Sequence, residues 1–157
     1  MLPNDSVFAF LHKHKVDYQL INHPAIEKVK EADFVIPGLT VKNLLLKTQN
    51  NHYYLLVIAG DKRADLKSIA TQLSEKRLSF ASPELMKSLI KLTPGTVSPF
   101  GLLNDENHQV QVIVDESLNQ NRLLGFHPNV NHQTIMVRFS DFINLIEAMG
   151  NQYRLIK

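Results

Sequence analysis

The residues of this chain that could do chemistry gather in two places. One is Gly125-Phe126-His127-Pro128-Asn129-Val130-Asn131, followed by Thr134. The other is Lys42, which opens the apolar run Asn43-Leu44-Leu45-Leu46. Gly125 lets a second backbone come close. Pro128 fixes its own φ and biases His127 toward an extended conformation. A histidine held that way can serve as a general base or position a substrate hydroxyl. It can equally be a hydrogen-bonded spacer in a turn. Lys42 has two readings as well. It can be a strand-edge lysine whose stem lies along core residues. It can also be a cation at a pocket rim, holding a phosphate or polarising an acyl carbonyl.

A third stretch, Thr93-Pro94-Gly95-Thr96-Val97-Ser98-Pro99-Phe100-Gly101, holds two prolines and two glycines. It reads as a shaped connection into a strand, or as a rigid wall whose backbone N–H groups face a ligand. Asn104 and Asp105 then make a hairpin turn.

Other chemistries lack their patterns. The seven histidines form no HExxH motif, and His127 and His132 alone do not make a metal site. With no cysteine there is no disulfide scaffold, thiolate site or cysteine nucleophile. No Gly-x-Ser-x-Gly elbow is present. Gly60-Asp61-Lys62-Arg63 lacks the spacing of a phosphate-binding loop. It reads as a solvated helix start whose Lys62 and Arg63 could meet a phosphate backbone.

These residues must be carried by a single domain, 1–157, since 157 residues is one domain's length. Such a chain buries roughly 70% of its unfolded surface. The absence of cysteine fits a reducing cytoplasm. The N-terminus lacks a signal-peptide pattern, and no apolar run approaches the ~20 residues of a membrane helix. The formal charge of +2 permits an RNA partner touched only at its end, whereas gripping a long duplex takes more positive charge. The sequence is compatible with a monomer.

Periodicity and capping signals supply the elements. A helix is expected over 4–15, with Val7, Phe8 and Leu11 on one face. Residues 18–21 read as extended, and 26–33 as a short helix. Two apolar runs, 42–47 and 53–59, form the clearest hairpin, buried on both faces. A helix follows over 61–73, and a short extended piece over 78–81. Ser82 caps another helix, with Pro83 at its first position. Segments 96–103 and 109–114 are expected to pair across 104–107, the second as a half-exposed strand. Strands at 123–126 and 135–139 flank the histidine turn. Ser140 caps a final helix over 141–149, ended by Gly150, and 153–156 adds a last strand. Interleaved strands and helices with several hairpins predict a mixed-sheet α+β domain.

Taken together, several stretches resemble the YbaK/ProX family of aminoacyl-tRNA editing proteins, in particular free-standing homologues of the bacterial prolyl-tRNA synthetase editing domain. They are Asn22-His23-Pro24, Glu31-Ala32-Asp33, Lys42-Asn43-Leu44-Leu45-Leu46-Lys47, Asp65-Leu66-Lys67 and Arg77 to Glu84. Thr93 to Leu102 and Phe126-His127-Pro128 with Asn131 and Thr134 complete the set, in family order across nearly the whole chain.

The resemblance implies a compact, mixed, partly barrel-like sheet with helices outside. It implies hydrolysis of the ester joining a wrong amino acid to tRNA, acting in trans. The ProX-like branch mostly clears alanine from proline tRNA, and the YbaK branch favours cysteine. A tRNA-end or synthetase-binding module without catalysis is the alternative from another class. Lys42 falls where the family keeps its required lysine. His127 falls in its glycine/histidine/proline loop, with Gly125 three residues before Pro128, a position where other members vary.

The chemistry expected of such a site needs no metal, cofactor or covalent nucleophile. Lys42 would anchor the terminal phosphate or carbonyl side. His127 would orient the acyl end. Backbone N–H groups of the 95–101 and 125–129 loops would steady the oxyanion. Pro128, Asn131, Thr134, Ser98 and Gly101 are expected around the substrate, with Ile26, Leu44 and Ile58 lining the pocket. The expected partners are the acceptor end of mischarged proline tRNA and prolyl-tRNA synthetase, in the cytoplasm.

Overall fold

A computed structural model describes residues 4–25, 38–119 and 123–157. In chain order its strands are β1 (Gln19–Asn22), β2 (Leu39–Lys47), β3 (Tyr53–Ala59), β4 (Ser79–Phe80), β5 (Val110–Asp115), β6 (Leu123–Phe126), β7 (Gln133–Arg138) and β8 (Tyr153–Ile156). Its helices are α1 (Asp5–Lys13), α2 (Leu66–Gln72), α3 (Pro83–Ile90) and α4 (Phe139–Met149). The strands form one mixed sheet in the order β1-β7-β6-β2-β3-β5-β8, with β4 pairing β2. The β2–β6, β3–β5 and β5–β8 pairs are parallel and the others antiparallel. The α+β class is as the sequence predicts.

The expected hairpin is present, with Lys42 opposite Ile58 and Leu44 opposite Leu56. Side chains alternate across a strand, so odd and even residues of β2 serve different cores. Val41 and Leu45 join the front cluster, which takes Val7 and Leu11 from α1, Leu89 and Ile90 from α3, and Phe142, Leu145 and Ile146 from α4. Leu124, Phe126, Ile135 and Val137 of β6 and β7 enter the same cluster, where Phe126 stacks on Phe142 at 4.6 Å. Leu46 faces the other way. It packs with Leu56, Ile58 and Ile113 beneath Ile69 and Ala70 of α2.

Local signals explain most boundaries. Ser82 Oγ accepts from Leu85 N at 3.1 Å, with Pro83 opening α3. Gly150 ends α4 at φ 85°, a left-handed position that suits glycine.

Five expectations are corrected. Segment 96–103 is not a strand: residues 94–96 and 99–104 are 3-10 turns. Pro94 and Pro99 have no N–H to give a ladder. Buried Asp105 opens a turn, with His108 N donating to its carbonyl at 3.1 Å, but no hairpin is formed because no strand precedes it. Its carboxylate accepts from the N–H groups of Gln109 and Val110 and from Asn151 Nδ2, fixing the entry to β5. β5 is not half-exposed but nearly all buried, because it lies between β3 and β8. The helix expected from 61 begins at Leu66, where the Asp65 side chain caps it by accepting from Ser68 N at 3.1 Å. Helix α4 starts at Phe139, with no side-chain cap from Ser140. The helix expected over 26–33 lies outside the described residues. No helix among the described residues is long and apolar enough to cross a membrane.

Candidate active site

Lys42 and His127 come from neighbouring strands that run the same way. Thr40 of β2 is paired with Gly125 of β6. Two residues further along each chain stand Lys42, which alternation puts on the back face of β2, and His127, at the start of the loop that follows β6. The close pairing starts at Gly38, where an added Cβ would lie 2.3 Å from the Leu123 carbonyl oxygen. Only glycine fits that approach.

His127 is half-buried, and its Nδ1 lies 3.0 Å from the Gln133 carbonyl oxygen. A carbonyl only accepts, so Nδ1 carries the proton and the neutral ring keeps Nε2 as an acceptor. Burial pushes the His127 imidazole below its ordinary value; the bond to Gln133 pulls it back up in part, and the nearby His23 lowers it further. The His23 ring is 6.2 Å from that of His127. His23 Nδ1 sits 2.8 Å from the Pro24 carbonyl oxygen, and its Nε2 2.8 Å from the hydroxyl of buried Thr134.

The turn after His127 is anchored from the interior. Asn129 is buried at φ 62°, a left-handed conformation that asparagine tolerates better than most residues. Its Oδ1 accepts from Ser98 Oγ at 3.3 Å and its Nδ2 donates to the Phe100 carbonyl at 3.4 Å. Ser98 is fully buried, and its Oγ also accepts from Phe100 N at 2.9 Å. The 93–101 stretch is therefore a brace for the histidine turn. Its Thr96, Phe100 and Gly101 N–H groups are all spent within it.

Lys42 is half-buried at the junction of the two halves of the back face, and its Nζ donates to the Lys62 carbonyl at 2.9 Å. The Lys62 ammonium in turn pairs with buried Asp115. Burial pushes the Asp115 carboxyl up, but the Lys62 ammonium and the Ser117 N–H outweigh it and hold the group below the usual carboxylate range. Segment 61–63 is exposed, as expected, but it precedes α2 rather than opening it, and Lys62 ties it to the sheet. On the far side of Lys42 lies a cavity of about 790 Å³ lined by Leu44, Arg63, Asp65, Leu66 and Phe80 as well as Lys42.

Residues 22–145 match the aminoacyl-tRNA editing domain family. The chain belongs to that family. Within it, the chain is 35% identical over 156 residues to the prolyl-tRNA editing protein ProX of Acetoanaerobium sticklandii, covering 97% of this chain and 95% of that one. It is 24% identical to the multifunctional Ser/Thr-tRNA deacylase ProXp-y of Escherichia coli K12, covering 90% and 86%. A crystal structure described as a candidate trans-editing enzyme for prolyl-tRNA synthetase has a TM-score of 0.73 at 20% identity, covering 100% of this chain and 98% of that one, which shows a shared fold.

In this editing domain the residues singled out from sequence fall into three groups. Lys42, Gly125 and Thr134 belong to the back face around β2, β6 and β7, His127 opens the loop after β6, and Leu44 lines the cavity beyond Lys42. Ser98, Gly101, Pro128 and Ile58 are buried. Gly101 packs on Ile90 and Leu92, where a Cβ would come within 2.7 Å of Leu92 Cδ1, and Ile58 lies opposite Lys42 in the small core. Asn131 is half-buried in the turn, and Ile26 lies outside the described residues. His23, Asn129 and Phe80 were quoted only within longer stretches, and sequence reasoning gave none of them a role at the site. The Asn-His-Pro triplet carries the same proline signal as the His127 turn, which could have pointed to a site role for His23.

Proposed function

We propose that this editing domain removes alanine from mischarged proline tRNA, with Lys42 and His127 serving one site. Hydrolysis of mischarged aminoacyl-tRNA is the reaction class that goes with its family. Water adds to the acyl carbonyl, the bond to the ribose oxygen breaks, and the proton ends on that ribose hydroxyl. The ester is already activated, so positioning and charge stabilisation suffice.

The observation that supports the reading is the Thr40–Gly125 pairing, from which Lys42 and the loop of His127 each follow two residues further along the chain. A lysine ammonium has three donors, and the bond to the Lys62 carbonyl uses one. The others are suited to the terminal phosphate or the ester carbonyl. His127, neutral and fixed through Gln133, offers Nε2 to orient the acyl end or the attacking water. Alanine is favoured by the 35% identity to a prolyl-tRNA editing protein and by the logic of size. A pocket fitted to alanine rejects the bulkier proline sterically, whereas discrimination by a missing methylene yields only about 1–3 kcal/mol. The acceptor end of tRNA is then the partner, prolyl-tRNA synthetase the source of the mischarged product, and the cytoplasm the location.

The test is a deacylation panel on proline tRNA carrying alanine, cysteine, serine or proline. Fastest release of alanine, with proline spared, is expected. Fastest release of cysteine would reassign the substrate, and binding without release of any amino acid would make this a non-catalytic module.

A further inference from the structure

Beyond Lys42 the back face carries an aromatic group that the proposed hydrolysis does not use. Phe80 of β4 is opposite Leu46 of β2, yet its ring is 58% exposed. It lines the cavity of about 790 Å³ together with Leu44 and Leu66, which are half-buried. Lys42 and Arg63 stand in the same wall. The one carboxylate there, Asp65, is committed to capping α2 through Ser68 N. The cavity thus combines an apolar floor, an open aromatic face and two cations against one carboxylate.

We propose that this cavity seats the unpaired terminal base of the RNA 3′ end, stacked on Phe80, with Arg63 at the adjoining phosphate. The proposal rests on the reading of the Lys42 face as the editing site. Alternate residues of β2 step by about 7 Å. Thr40, beside Gly125, is followed along one face by Lys42 and then Leu44. An aminoacylated nucleoside has the same order: acyl group, sugar with its phosphate, then base. Single-stranded nucleic acid is commonly held by stacking on aromatic side chains next to cations. An apolar cavity carrying two cations suits a base with a phosphate attached better than it suits an uncharged apolar ligand.

Two measurements test it. The first compares kcat/KM for alanyl-adenosine and for an alanyl ribose ester without a base, in wild type, Phe80→Ala and Phe80→Tyr. The wild-type preference for the adenosine ester is expected to fall about tenfold in Phe80→Ala, carried by KM, and to return in Phe80→Tyr. An unchanged preference overturns the proposal. Leu155→Ala, which removes another exposed apolar side chain on β8, is the control and should keep the preference. The second measures binding of a short uncharged single-stranded RNA ending in adenosine against the same RNA ending in an abasic site. Discrimination by wild type and its loss in Phe80→Ala supports the subsite even if no ester is hydrolysed, in which case the deacylase reading alone falls. Ester hydrolysis with indifference to the base in both measurements leaves the deacylase reading standing and removes the subsite.

Discussion

The back face of the sheet divides at β2 into two unlike halves. Over β2, β3 and β5 it is apolar and closed: Leu46, Leu56, Ile58 and Ile113 pack against Ile69 and Ala70 of α2. Over β6 and β7 it carries Gly125, Thr134 and the following His127, and the polar members are held by specific hydrogen bonds. The first half gains its stability from burial. The second spends hydrogen bonds on fixing a tautomer and a turn. Lys42 stands on the boundary, its stem on the strand that both halves share and its ammonium on the Lys62 carbonyl. One strand can therefore serve packing and chemistry without mixing them, because alternation and register keep the groups apart.

Substitutions should separate the two halves. The largest effect is expected for Leu56→Ala in the closed half, which removes a fully buried side chain. It should cost about 2–5 kcal/mol in urea unfolding while leaving deacylation per folded molecule near wild type. Loss of activity with the fold intact would break the division. Next is Asn129→Ala, which strips the Ser98 and Phe100 anchors from the histidine turn. A loss of about 1–3 kcal/mol and a raised KM are expected. Asn129→Gly, which tolerates the positive φ, should recover part of the stability only.

Acidification should act on the polar half in particular. Because the folded His127 has a lowered pKa, the unfolded chain binds that proton more readily. Its contribution to stability is fully present above the ordinary value of 6.5 and is lost as pH falls through the lowered one. Deacylation should fall on the acid side in the same window, and His127→Gln should flatten that limb of the profile. The smallest effect is expected for Lys62→Met, at about 1 kcal/mol, since the Lys62 end of its pair is half in solvent. The stability it removes is that of Asp115, present above the ordinary carboxylate pKa and lost as pH falls through the lowered one. Thermal unfolding at pH 7 and in acid measures the difference.

Much of this arrangement was legible in the sequence where local signals act. The 42–59 hairpin, the Ser82-Pro83 helix start and the Gly150 stop are written in strand-length apolar runs and in capping residues. Segment 96–103 departs from its expected strand because its apolar residues suit a strand, while Pro94 and Pro99 and the Ser98 side chain turn it into 3-10 structure. The burial of β5 depends on parallel neighbours distant in sequence, β3 and β8, which no local window contains. The site was legible in part for the same reason. Lys42 and His127 were each visible by their surroundings, but what sets the strand of one beside the strand that leads to the other is the Thr40–Gly125 pairing, a contact between residues 85 apart in number. The part His23 plays became visible only through its bond to Thr134, across 111 residues.

The central claim is that Lys42 works for the chemistry of the shared strand and not for its stability. The most direct measurement is Lys42→Ala assayed twice, for deacylation of alanyl-proline tRNA and for thermal unfolding. A fall in kcat/KM of at least about a hundredfold is expected, with the unfolding midpoint within about 4 °C of wild type. Full activity in the variant, or an activity loss that merely follows unfolding, would contradict the account.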